Sequence, residues 1–105
     1  MAKKITDVNK FNKIQGQIKA LHDEIGVLSK KKSEDGVNLF KLKYINQILT
    51  EANEILDEGY IPLAGFTVFD EDNVPTNSDV VMILAQYLEC FRRQWNDQKL
   101  WLMDV

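Results

Sequence analysis

One histidine and one cysteine bound the chemistry available to this chain of 105 residues. Histidine-based triads and metal triads need partners that His22 does not have. His22 also lies beside Leu21, within an apolar repeat, and reads as a surface or boundary residue. Cys90 is a nucleophile only where a neighbouring base or cation lowers its pKa. It sits between Glu89 and Phe91 in an apolar segment, which suits a small buried side chain. A third candidate is the run Asp70-Glu71-Asp72-Asn73. A calcium loop needs oxygen ligands at its first, third and fifth positions and glycine at the sixth. Here the fifth is Val74 and the sixth Pro75, so the pattern fails. The fourth is the group Glu51, Glu54 and Glu58, of which Glu54 and Glu58 share a helix face. Di-metal bundles add histidines or further carboxylates from other helices, and one histidine does not complete such a set. Gly59 and Gly65 flank no phosphate-cradling pattern. The expectation is a chain with no catalytic residue, no metal site and no cofactor, hence not an enzyme.

The elements that position these residues are helical. Phe11, Ile14, Ile18, Leu21, Ile25 and Leu28 alternate by three and four, which predicts a helix over about 7–32 with one narrow apolar stripe. Thr6 or Asp7 can cap its start, and Lys30 to Lys32 suit its negative end. Ser33-Glu34-Asp35-Gly36 reads as a turn. A second helix is predicted over about 38–57. Ile45, Ile48, Ala52 and Ile55 form one row, and Leu42, Leu49 and Leu56 form another beside it. Gly59 fits its stop. A third helix opens at Thr76, with Asp79 three residues on and Pro75 and Val80 at staple positions. It runs to about Leu102 through Val81, Leu84, Leu88, Phe91 and Trp95, with a break in the spacing at Gln98. The connection from Gly59 to Pro75 is long and apolar. Phe66 and Val68 are expected to cover one end of the bundle, and the tip Asp70 to Asn73 to face water. Together these predict an all-α fold: an antiparallel three-helix bundle, with a long ordered connection between the second and third helices, in a single domain over 1–105.

Charge narrows the range of partners. Residues 1–32 hold eight lysines and three carboxylates, while from Lys43 to Arg92 nine carboxylates occur with no intervening Lys or Arg. Such an interval favours a cationic partner, or is a solvated face, or pairs with the lysines of the first helix. The sequence pI of about 5.1 and lysines spread around the first helix argue against nucleic acid. No apolar run reaches bilayer length and the start lacks an apolar signal core, so the expectation is a cytoplasmic protein that avoids membranes. A lone cysteine excludes an internal disulfide framework. Trp95, Trp101 and Leu102 crowd the C-terminal end, a candidate surface for self-association into a homo-oligomer.

Over residues 40–90 the order of features resembles a known family. Leu42-Lys43-Tyr44-Ile45-Asn46-Gln47-Ile48-Leu49 is followed by Leu63-Ala64-Gly65-Phe66-Thr67-Val68-Phe69-Asp70-Glu71, then by an acid-capped helix with Leu84-Ala85-Gln86-Tyr87. This order is similar to that of the small helical immunity proteins that neutralise NAD-glycohydrolase effectors of bacterial type VI secretion. The resemblance implies a stoichiometric inhibitor, antitoxin-like, that covers the functional surface of a partner protein with a basic cleft. The acidic interval suits that role, with Glu51, Glu54, Glu58, Asp70, Glu71 and Asp72 as a rim and Phe69 as an apolar anchor. The competing reading is an oligomeric helical adaptor, or a phage-type anti-defence protein, that assembles through its aromatic C-terminal helix.

Overall fold

A computed structural model describes residues 4–63 and 65–103, with side chains through 99. Three helices form among the described residues, α1 (Val8–Lys31), α2 (Leu39–Ile55) and α3 (Asn77–Met103), with a 3-10 turn at Glu58–Tyr60. The chain is an all-α three-helix bundle. Each helix begins where a short polar side chain meets exposed amides. Asp7 accepts from the Lys10 N–H and Asn38 from the Lys41 N–H. The Thr76 hydroxyl accepts from the Asp79 N–H at 3.2 Å. These bonds satisfy donors that a helix leaves without internal partners.

The turn after α1 is tied to the start of α3. Val37 N–H donates to the Pro75 carbonyl and Asn77 N–H to the Asp35 carbonyl, both at 2.9 Å. Ser78 N–H reaches Ser33 O at 3.1 Å, and Asn77 Nδ2 donates to Lys32 O at 3.0 Å. Thus α3 starts where α1 ends and runs antiparallel to it. At the far end the Phe11 ring lies 4.8 Å from Phe91 and 6.2 Å from Trp95, between centroids. α2 also runs antiparallel to α1, which places α2 and α3 parallel to each other. The predicted α1 stripe is the core stripe: Phe11, Ile14, Ile18, Leu21 and Ile25 are all buried, with Leu28 packed at its edge.

α1 packs directly on both other helices, most extensively on α3. α2 and α3 stand further apart, and large side chains bridge them. Tyr87 is fully buried and donates to Asn53 Oδ1 at 2.6 Å. Gln94, also fully buried, accepts from the Asp57 N–H at 2.9 Å and donates to the Ile55 carbonyl at 3.4 Å. Gln94 therefore meets the backbone at the end of α2, which stops at Ile55, close to the predicted end near Asp57. Gln98, where the apolar spacing of α3 breaks, accepts from the Ile5 N–H at 2.8 Å and anchors the segment ahead of α1.

Burial pushes the Tyr87 phenol up to about 12, against a smaller opposing effect from its bond to Asn53. In the unfolded chain the same phenol titrates near 10. Above pH 10 the unfolded state therefore loses its proton first and is favoured. The stability due to this group is complete below pH 10 and lost as pH rises towards 12, by roughly 2 kcal/mol. Urea titrations at a series of pH values check this. Tyr87→Phe should flatten the decline across that window.

Candidate functional site

The residues after α2 form a strap that returns along the α2–α3 side of the bundle. It starts at Tyr60, whose hydroxyl donates to the Asp97 carboxylate on α3. That bond is the main reason the Tyr60 phenol titrates above its ordinary range. Arg93 lies over the same ring, 5.6 Å from its centroid. A turn closed by Phe66 N–H to Leu63 O at 3.0 Å then redirects the chain. Gly65 holds a φ of +82° in that turn, where any side chain would be strained.

Two asparagines of α2 fasten the strap. Asn46 donates from Nδ2 to the Phe69 carbonyl and accepts the Phe69 N–H at Oδ1, both at 2.9 Å. Its carboxamide thus pairs with the strap as a neighbouring backbone would. One heptad on, Asn53 donates from Nδ2 to the Thr67 carbonyl at 2.8 Å. Phe66 and Phe69 pack edge to face, with centroids 5.1 Å apart, and both lie against the core. The tip turns at Asp70, which accepts the Asp72 N–H at 2.8 Å, while Asn73 N–H reaches Asp70 O at 3.3 Å.

Asp70, Glu71 and Asp72 are exposed at this tip, as expected. Among the described residues no ion pair reaches them. Pairs that form elsewhere include Lys19 with Asp23, Lys41 with Glu24 and Arg92 with Glu89. The lysines of α1 therefore do not neutralise the strap. Exposed apolar groups flank the acidic tip, with Val68 at 37% and Val74 at 39%.

The predicted rim divides into two groups. Asn46 and Asn53 define the side of α2 that faces the strap. At 100° per residue, Glu54 and Glu51 lie roughly 100–160° around the helix from Asn53. Glu54 faces a hollow of about 460 Å³ shared with Ile5, Phe11, Ile55, Lys4 and Lys10. Glu58 is in the 3-10 turn at the C-terminal end of α2. Asp70 to Asp72 follow the strap residue bound to Asn46, in the first half of α2. Phe69, read from sequence as an anchor, is half-buried and serves the fold. Val68 corrects an expectation in the other direction: it was to cover the bundle end with Phe66, and it points to solvent. Its neighbours Thr67 and Phe69 are the ones bonded to α2, and the backbone bends at Val68 between them.

The remaining candidates fall as follows. Trp95 is half-buried, stacked on Phe11 and committed to the core edge. The side chains of Trp101 and Leu102 lie outside the described residues. His22 is half-buried, with Nδ1 3.5 Å from Asp23 Oδ1. Cys90 is 5% exposed, and burial pushes its thiol above the ordinary range. Among the described residues no cluster of His, Cys, Asp and Glu is arranged to hold a metal ion, and no helix is long and apolar enough to cross a membrane. Sequence reasoning missed Asn46, Asn53, Gln94 and Gln98. Their signal was a polar side chain recurring at apolar spacing: seven residues separate Asn46 from Asn53 and Tyr87 from Gln94. Compared with protein-family models, curated proteins and solved structures, the chain matches none of them.

Proposed function

We propose that this chain is a stoichiometric inhibitor that binds a partner protein through the strap, with no catalytic role of its own. One observation carries the reading. Three carboxylates without a cation project from a segment whose backbone is pinned at Thr67 and Phe69 by α2 side chains. A fastened strap loses little conformational freedom on binding, so its contacts are not offset by the cost of ordering. Carboxylates of one sign speed encounter with a basic cleft and select against acidic surfaces. Val68 and Val74 supply apolar area beside the charges, the composition of a contact patch. The partner class that fits is a protein whose functional cleft is lined by Arg or Lys, an enzyme with an anionic substrate among them. The likeness of residues 40–90 to immunity proteins points the same way.

The test reverses charge without breaking the strap. Asp70 is left in place because it holds the tip turn, and Glu71→Lys and Asp72→Lys are combined. Both positions are exposed, so the melting curve should not change. Affinity capture from the native host with quantitative mass spectrometry should recover one stoichiometric partner with wild type. Its Kd should rise at least about tenfold in the double variant, and its salt dependence should flatten. Unchanged affinity and salt dependence would remove the strap from the interface.

A further inference from the structure

A second surface lies on the other side of α2. Phe40 is 82% exposed on the first turn of the helix, and Tyr44, one turn on, is 41% exposed. At 100° per residue, Phe40, Lys43, Tyr44, Gln47, Glu51 and Glu54 fall within an arc of about 100°. This stripe is symmetric about Gln47 in an informative way. Lys43 lies four residues before Gln47 and Glu51 four after. Phe40 lies seven before, and Glu54 seven after. Phe40 is a protruding ring. Glu54 borders the hollow of about 460 Å³ whose lining mixes Ile5, Phe11 and Ile55 with the polar Lys4, Asp7 and Lys10.

We infer that a second copy of this chain packs antiparallel on this face, about a twofold axis at Gln47. A twofold contact requires a surface complementary to itself, and this stripe meets that requirement twice. Antiparallel pairing sets Lys43 against Glu51 of the second copy, and the reverse. It also brings Phe40 to the hollow beside Glu54 of the second copy, a knob and a hole related by the same axis. Parallel pairing would set Lys43 against Lys43 and Glu51 against Glu51, which repel. The strap faces roughly 100–120° away around α2 and stays open in such a dimer. Each dimer would then carry two inhibitory surfaces.

Sedimentation equilibrium on the full chain tests this. Wild type should be a dimer. Phe40→Asp should raise the dimer Kd at least about thirtyfold, with helical content by circular dichroism unchanged. Lys43→Glu and Glu51→Lys should each weaken the dimer about tenfold, and the two together should restore it. A wild type that is monomeric at about 1 mM overturns the proposal. So does a dimer indifferent to Phe40→Asp, or a charge swap that fails to restore pairing. A monomeric wild type whose captured partner is lost in Phe40→Asp would assign the face to that partner instead. The Glu71→Lys, Asp72→Lys variant should remain dimeric, which separates this result from the fate of the strap.

Discussion

Phe11→Ala should lower the unfolding free energy by about 3–5 kcal/mol, the largest effect expected of a single substitution here. Phe11 is 2% exposed and its ring contacts Phe91, with Trp95 stacked behind. These three rings join the start of α1 to the second half of α3. No other aromatic pair makes that junction among the described residues. Truncation removes apolar area and leaves a cavity that two helices of a small bundle cannot close without shifting. A domain of this size has a total stability of about 5–15 kcal/mol, so the variant should be marginal. Urea unfolding followed by far-ultraviolet circular dichroism gives the number. A loss below about 1 kcal/mol would mean that this end of the bundle contributes little to the folded state.

Asn46→Leu is the second. The substitution is close in volume and keeps a helix former, yet it strands both the N–H and the carbonyl of Phe69. Two half-buried backbone groups without partners should cost about 3–4 kcal/mol. The effect has a local signature. The Phe69 amide should exchange with solvent far faster than amides in the middle of α1, because the strap loses its main fastening. If the strap binds a partner, affinity should also fall although no charge has changed, since the segment must then be ordered on binding. A Phe69 amide that stays protected would show that packing of Phe66 and Phe69 holds the strap without Asn46.

The helices were legible from sequence because their cues are local. The stripe from Phe11 to Ile25 and the cap at Thr76 depend on neighbours within a few residues, and both appear where their spacing puts them. Long-range polar contacts left no such trace. At the end of α2, Gln94, far along the chain, meets the last backbone groups, and the glycine downstream carried no information about that. The acidic set failed to come together for a geometric reason. Glu51 and Glu54 turn with a helix, whereas Asp70 to Asp72 sit on a strap that runs back beside it, so closeness in sequence and sign of charge did not fix a shared face. Cys90 and His22 behaved as their immediate neighbours suggested. Val68 did not, because hydropathy alone cannot say which side of a bent strap meets the core.

The most extensive helix contact joins α1 to α3, the two helices furthest apart in the sequence. While α1 and α2 emerge from the ribosome, the stripe of Phe11, Ile14 and Ile18 lacks its main cover, and Phe11 cannot meet Phe91 until more than half of α3 has been made. A helical protein rich in local contacts would consolidate as it emerges, but this topology postpones closure until α3 has emerged. Until then the nascent chain presents an apolar helix face, and its yield in a cell should depend on chaperone supply.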